Sequence, residues 1–222
     1  MRLRIGLLAA FLLFMQTWVS LGQETSPFAR WEKEIQGIEK KLRESPPVKS
    51  PWVFYGSSTM RLWNLPKDFP GLPCVNCGFG GSQIRDAVHF APRLLLPLKP
   101  GKIVFYSGDN DINAKRTPEQ VLEDFQNLVK AVRKELPDTP ILFLSIKPSI
   151  AREKQRETQK KANQMVEAYC KANPGLSYLD LAVVVLDSEG KHKKELFAKD
   201  GLHLSPAGYD ALSAQVKPWL KP

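Results

Sequence analysis

The chain has 222 residues, of which 43% are hydrophobic and 25% are charged. This composition excludes a collagen, a low-complexity chain and a wholly disordered protein, and the length fits one domain with a sizeable core. The net charge is +9, but the basic residues lie in mixed-charge stretches such as 32–43 and 152–161. We interpret these stretches as solvated helix faces and expect no nucleic-acid partner.

The N-terminus has the pattern of a secretory signal peptide. Two arginines within residues 1–4 precede an apolar run over 5–14, and Ser20 and Gly22 are small residues at the −3 and −1 positions of a cleavage site. The apolar run is shorter than the ~20 residues that cross a bilayer, and an uncleaved membrane anchor is the alternative. We therefore predict a signal peptide over 1–22, cleavage near Gly22-Gln23, a secreted or periplasmic protein, and no membrane span in the mature chain.

Apolar strands alternate with amphipathic helices along the rest of the chain. Residues 23–50 are predicted to form a helical segment, with Ser26 as its N-cap and Trp31, Ile35, Ile38 and Leu42 at helical spacing. The predicted strands are 52–55, 74–76, 102–107, 140–146 and 176–186, and the predicted helices are 82–96, 117–137 with a Thr117 to Gln120 capping box, 152–173, and one that starts at Ser205. This order predicts a doubly wound parallel sheet of about five strands, covered by helices on both faces in a three-layer α/β/α sandwich.

The three cysteines do not describe a disulfide framework. Cys74 and Cys77 form a CxxC, but they lie in a predicted strand, where positions three apart point to opposite faces. With one CxxC and no nearby histidine pair, we predict no metal site. We expect Cys74, Cys77 and Cys170 to be buried thiols.

Four short segments follow the predicted strands or precede the last helix. They are GSST at 56–59, NCGFGG at 76–81, GDND at 108–111 and DGLH at 200–203. Ligands on doubly wound sheets bind outside the carboxyl ends of the strands, so these segments are expected to meet at one edge. In this order they resemble the blocks of the SGNH hydrolases, also called GDSL-type esterases and lipases. The resemblance runs from residue 53 to the last helix and implies a flavodoxin-like SGNH hydrolase domain over 51–222.

The resemblance implies a catalytic triad and an oxyanion hole. Ser58 is the implied nucleophile, His203 its base and Asp200 the carboxylate that orients His203, because a serine hydroxyl needs an adjacent base and a fixed imidazole. The implied oxyanion donors are the backbone N–H groups of Ser58 and Gly81 and the side-chain amide of Asn110. Position 57 is Ser where the family more often has Asp, so Ser57 is the alternative nucleophile.

The implied activity is that of a secreted serine esterase that needs no metal or organic cofactor. It would cleave small-molecule or carbohydrate esters, with short acyl groups or carbohydrate acetyl groups expected because no long insertion suggests a lipase lid. An acyl transferase and a catalytically inactive glycan-binding module are the alternatives. Oligomeric state is not predictable from the sequence. Trp63 and Phe79 flank the blocks and are interpreted either as pocket walls or as ordinary core.

Overall fold

Five parallel strands form one sheet in the computed structural model, which describes residues 26–221. The strands are β1 (Trp52–Gly56), β2 (Cys74–Gly78), β3 (Lys102–Tyr106), β4 (Ile141–Leu144) and β5 (Leu176–Leu179). Their order in the sheet is β2-β1-β3-β4-β5, and every neighbouring pair is parallel. The predicted fold class is therefore confirmed. The predicted signal peptide, 1–22, lies outside the described residues.

Helices cover both faces of this sheet. They are α1 (Glu32–Glu44), α2 (Ser58–Arg61), α3 (Leu65–Asp68), α4 (Ile84–Leu94), α5 (Asp109–Asn113), α6 (Pro118–Glu135), α7 (Arg156–Ala172), α8 (Ala182–Val185) and α9 (Pro206–Val216). Short 3-10 turns occupy Ala29–Trp31, Leu96–Leu98, Ile150–Gln155 and Lys194–Leu196. Within the described part of the chain, no helix has both the length and the apolar character needed to cross a membrane.

The strand residues alternate between two hydrophobic clusters. Val53 and Tyr55 of β1 pack with α1, α4, α6 and α7 on one face, whereas Phe54 packs with α3, α8 and α9 on the other. All five residues of β1 are buried, as expected for a central strand with helices on both sides. The two clusters fix the sheet so that the carboxyl ends of β1, β2 and β3 lie at one level, with Gly56 paired to both Gly78 and Tyr106.

The prediction of a long fifth strand was wrong. β5 ends at Leu179, and the apolar residues that follow form α8. The Asp180 side chain accepts the backbone N–H of Ala182 at 2.9 Å, a local turn that competes with strand continuation. Val184 and Val185 are still buried, so the apolar side chains of this run pack on the second face of the sheet from a helix instead of a strand.

Two helix starts also differ from prediction. The helix predicted from residue 152 begins as the 3-10 turn Ile150–Gln155, and α7 proper starts at Arg156. Ser26 does not cap α1, because a 3-10 turn over Ala29–Trp31 precedes the helix and the Ser26 hydroxyl accepts the N–H of Phe28 at 3.3 Å. In contrast, the Thr117 capping box and the Ser205 N-cap are both present.

The cysteines are free thiols. Cys77 belongs to the first hydrophobic cluster and Cys74 packs against the second, so the predicted opposite orientation is confirmed. Cys77 and Cys170 are buried, but Cys74 is only half-buried, because it opens the edge strand β2. In the described residues, no group of three His, Cys, Asp or Glu side chains is placed to hold a metal ion.

Candidate active site

Three polar side chains from the two ends of the domain form a continuous hydrogen-bonded chain. Ser58 is the first residue of α2, two residues after the end of β1, and His203 and Asp200 lie in the loop before α9. Nε2 of His203 lies 3.0 Å from Oγ of Ser58, and Nδ1 of His203 lies 2.6 Å from Oδ2 of Asp200. A hydroxyl, an imidazole and a carboxylate in this order can activate the hydroxyl as a nucleophile.

The turn after β1 places Ser58, rather than Ser57, beside the imidazole of His203. Gly56 has a φ of +129°, and a Cβ at this position would lie 2.0 Å from the carbonyl oxygen of Tyr106, so the chain can pass this close to β3 only as glycine. Ser57 is 2% exposed and donates its backbone N–H to the same Tyr106 oxygen at 2.9 Å. Ser57 therefore anchors the turn, while Ser58 faces the imidazole.

The DGLH loop holds the carboxylate in its charged form. Oδ1 of Asp200 accepts the backbone N–H groups of Leu202 at 2.9 Å and His203 at 3.0 Å. Gly201, which lies between Asp200 and Leu202, turns the chain with a φ of +63°. The hydrogen bond to the His203 ring, followed by these two backbone bonds, lowers the pKa of Asp200 to about 2. Asp200 is thus an anion beside the His203 ring.

The predicted oxyanion donors border the same cleft. Ser58, Gly81 and Asn110 all line a cavity of about 380 Å³ next to His203. The Asn110 side chain is held at both ends: Nδ2 donates to the Ser82 carbonyl at 3.0 Å, and Oδ1 accepts from Nη2 of Arg152 at 3.0 Å. Since Nδ2 carries two hydrogens, one N–H is left for a ligand in the cleft.

The cleft also contains charged residues that the sequence did not single out. Glu34 of α1 accepts the backbone N–H of Gly80 at 3.0 Å and lies 3.6 Å from Nε of Arg61. Trp31 donates from its indole to the carbonyl of Gly80 at 2.8 Å. α1 and the 3-10 turn before it therefore hold the glycine loop after β2, and Glu34 of α1 borders the cleft. Both belong to the segment that was predicted to precede the domain.

A buried charge network lies next to Asn110 and borders the cleft at Asp109 and Lys147. Lys147 is 1% exposed, and its Nζ lies 3.1 Å from the Tyr106 hydroxyl and 4.0 Å from Oδ2 of Asp109. Oδ1 of Asp109 contacts Nη1 of Arg152 at 2.9 Å and accepts from Gln159 at 3.1 Å. Burial opposes the ammonium of Lys147, but Tyr106 and Asp109 favour it, and the pKa of Lys147 is raised.

The interpretation of 152–161 as a solvated helix face was wrong at Arg152, whose side chain is 13% exposed.

His203 also borders a second hollow, of about 610 Å³, on its Asp200 side. Its lining is more apolar than that of the cleft and includes Leu62, Leu204, Pro206 and Tyr209. Leu62 is one of the few large apolar side chains that are exposed. The imidazole thus separates a polar cleft from a more apolar hollow.

The other residues that the sequence offered as candidates lie outside the cleft. Trp63 and Phe79 are core residues, buried in opposite clusters, so neither forms a pocket wall. His89 stacks on Phe28 and His192 lies 3.5 Å from Glu153. Asp111, the last residue of GDND, accepts the backbone N–H of Ile84 at 3.0 Å and thereby ties the loop after β3 to the start of α4.

Comparisons with known proteins point to one family. The model of the GDSL-like lipase/acylhydrolase family matches residues 55–211, and no curated protein sequence matches the chain. A Streptococcus pneumonia protein provisionally described as a platelet activating factor is 28% identical, with a TM-score of 0.78 over 87% of this chain and 94% of that one. A GDSL-like lipase from Bacteroides thetaiotaomicron has a TM-score of 0.67 at 18% identity, covering 87% and 97%. A carbohydrate esterase family 3 protein from Talaromyces cellulolyticus has a TM-score of 0.59 at 16% identity, covering 77% and 96%.

Proposed function

Since the chain belongs to the GDSL-like lipase/acylhydrolase family of SGNH hydrolases and is an ester hydrolase, we propose that it is a serine esterase that cleaves carboxylic esters through an acyl-serine intermediate. The observation that carries the proposal is the contact of Ser58 Oγ with His203 Nε2 at 3.0 Å, together with that of Asp200 with the opposite ring nitrogen at 2.6 Å.

In the first half of the reaction, Ser58 attacks the ester carbonyl. The bond from Oγ to the carbonyl carbon forms while the hydroxyl proton moves to Nε2 of His203. The tetrahedral intermediate collapses, the bond to the alcohol oxygen breaks, and the imidazolium returns its proton to that oxygen. In the second half a water molecule gives its proton to His203, attacks the acyl-serine, and releases the carboxylic acid as Ser58 regains its proton.

The negative charge on the carbonyl oxygen needs fixed donors. The free N–H of Asn110 and the backbone N–H groups of Ser58 and Gly81 border the cleft and fit this role. Each donor is preorganised, so it needs no rearrangement during the reaction, and losing one typically lowers kcat by about 10²–10³-fold.

The shape of the site favours small, polar esters. A cleft of about 380 Å³ lined by Glu34, Arg61 and Asp109 suits a short acyl group or a hydroxylated substrate better than a long fatty chain, so we propose short-chain acyl or carbohydrate acetyl esters. His203 must protonate the departing oxygen from Nε2, so the alcohol is proposed to leave through the part of the cleft that borders this nitrogen and Ser58. The signal-peptide pattern over 1–22 supports the further proposal that the enzyme is secreted or periplasmic.

The test is covalent trapping combined with a matched pair of serine variants. A fluorophosphonate should label the wild type on the peptide that contains Ser58, and Ser58→Ala should lose both labelling and turnover of p-nitrophenyl acetate. Ser57→Ala should keep both, because Ser57 contributes a backbone contact to the turn. Wild-type turnover in Ser58→Ala, or labelling that survives in it, rules the proposal out. A labelled enzyme that passes the acyl group to an added sugar instead of water is an acyl transferase.

A further inference from the structure

The side-chain amide of Asn110 has its orientation fixed by a residue outside the sequence blocks. Resting on the proposed function, we propose that Arg152 is a positioning residue that keeps the free N–H of Asn110 directed into the cleft. Arg152 does not line the cleft itself, so it would act on the reaction through Asn110.

The hydrogen bonds around the amide discriminate between its two orientations. As found, the carbonyl oxygen of the amide accepts from Nη2 of Arg152 and the amide nitrogen donates to the Ser82 carbonyl, both at 3.0 Å. A rotation of 180° would set the amide oxygen against the Ser82 oxygen and the amide hydrogens against the guanidinium, which carries only donors. Both contacts would become repulsive, and the cleft would then face a changed set of amide atoms.

Arg152 is itself held by an ion pair with Asp109. Its Nη1 contacts Oδ1 of Asp109 at 2.9 Å, and both side chains are almost fully buried, at 13% and 7% exposed. Gln159 donates to the same carboxylate. The planar guanidinium can thus hold Asp109 with one nitrogen and Asn110 with the other, a fork that a lysine ammonium cannot reproduce with the same geometry.

The backbone around Arg152 departs from helical geometry. Arg152 has φ −122° and ψ 26°, non-helical values inside the 3-10 turn Ile150–Gln155. The preceding residue, Ala151, donates its N–H to the carbonyl of Gly201 at 3.0 Å. The turn therefore contacts the DGLH loop through its backbone and the GDND loop through the Arg152 side chain.

The first test is the split between kcat and KM in Arg152→Met, which removes the donors but keeps a long side chain. Loss of one oxyanion donor costs about 10²–10³-fold, and a misdirected donor should cost part of this. We expect kcat to fall about 10–100-fold with KM changed less than about 3-fold. Arg152→Lys should recover part of the loss. The matched control is Arg156→Met, since Arg156 is bonded to Glu153 and Gly190, and it should behave like the wild type.

The second test is a double-mutant cycle with Asn110→Ala. If Arg152 acts through Asn110, Arg152→Met adds no further loss of kcat in the Asn110→Ala background. Losses that multiply, or a rise in KM with kcat unchanged, overturn the proposal. Thermal unfolding of each variant separates a folding defect from a positioning defect, and Arg152→Lys provides the second variant if Arg152→Met fails to fold.

A third readout does not depend on turnover. The side-chain ¹⁵N–H signals of Asn110 should report a rigid amide in the wild type and in Arg156→Met, and a mobile amide in Arg152→Met. An equally rigid amide in all three proteins overturns the proposal even if no tested ester is hydrolysed. Absence of esterase activity in the wild type would instead count against the proposed function alone.

Discussion

Asp200 holds His203 by two contacts, one to the ring and one to the backbone. Oδ2 lies 2.6 Å from Nδ1, and Oδ1 accepts the backbone N–H of the same histidine at 3.0 Å. The second contact fixes the loop, and in the proposed mechanism the first fixes the tautomer that leaves Nε2 free to accept the proton from Ser58. The two roles of the carboxylate can be separated by mutation.

Asp200→Asn should keep the loop but lose most of the catalysis. The amide oxygen can still accept the backbone N–H groups, while the amide nitrogen facing Nδ1 favours the wrong tautomer, a change that costs about 10⁴-fold in kcat in serine proteases. We expect a fall of about 10³–10⁴-fold in kcat with an unchanged melting temperature. Asp210→Asn is the control, because Asp210 is an exposed partner of Lys67 on α9. A loss below tenfold in Asp200→Asn would contradict this role.

The low pKa of Asp200 keeps this carboxylate charged at all but strongly acidic pH. Because the pKa of Asp200 is lowered to about 2 from an ordinary value near 3.9, its carboxylate is fully charged above about pH 4 and is protonated only as the pH falls toward 2. The Asp200 carboxyl should therefore contribute no inflection to kcat/KM above about pH 4. An inflection between about pH 4 and 5 that is present in the wild type and absent from Asp200→Asn would argue against a permanently charged Asp200.

Asp111 should make the protein less stable at alkaline pH. Burial raises the pKa of Asp111 to about 7, so the folded state binds this proton more tightly than the unfolded chain. The associated stability is present below about pH 4 and is lost as the pH rises through 7. The variant Asp111→Asn keeps an oxygen for the Ile84 N–H and has no carboxyl to titrate. The difference in melting temperature between this variant and the wild type should therefore be more positive at pH 8 than at pH 5. Each kcal/mol of stability that the wild type loses over this range corresponds to about 2–4 °C. Parallel curves for the two proteins would refute this assignment.

Two glycines should respond oppositely to alanine. Gly56→Ala places a Cβ 2.0 Å from the Tyr106 oxygen at a φ of +129°, so we expect a loss of at least ~3 kcal/mol in the free energy of unfolding and displacement of Ser58. Gly37 lies within α1, where an added Cβ would point into open space with no neighbouring atom within 4 Å, and Gly37→Ala should gain about 0.5–1 kcal/mol. Urea unfolding measures both. Equal effects at the two positions would contradict the packing described for the turn after β1.

The CxxC should be chemically inert in the folded protein. Burial raises the pKa of Cys77 to about 12 and that of Cys74 to about 11, so little thiolate is present at neutral pH. Their side chains also lie on opposite faces of β2. Iodoacetamide should modify neither thiol until the chain is unfolded, and dithiothreitol should leave the melting temperature unchanged. Rapid alkylation of native Cys77 would show that β2 is open in solution.

The parts of the structure that were predictable from sequence are local. Apolar runs fixed four of the five strands to within three residues at either end, and glycine and polar residues after them marked the sheet edge. β5 was overpredicted because hydrophobicity alone cannot distinguish a strand from a short buried helix. The side-chain bond from Asp180 to Ala182, which begins that helix, involves a residue type common in loops.

Glu34 and Arg152 could not be found in the same way. Both lie in mixed-charge stretches that are typical of solvated helices, and their partners, Gly80 and Asn110, are 46 and 42 residues away. Only the packing of the turn at 150–155 and of α1 against α4 shows that Glu34 faces the cleft and that Arg152 contacts Asn110. Charged residues that support a site from a distance carry no local signature in a single sequence.

The turn at Ile150–Gln155 has a consequence for redesign. It joins the GDND loop through Arg152 and the DGLH loop through Ala151, so these three segments form one interlocked cassette. In a chimera that takes only one of these segments from a homologous enzyme, the contacts of that segment with the other two would be lost. Transplanting all three together is the unit of exchange in which a new substrate preference could be introduced without loss of turnover.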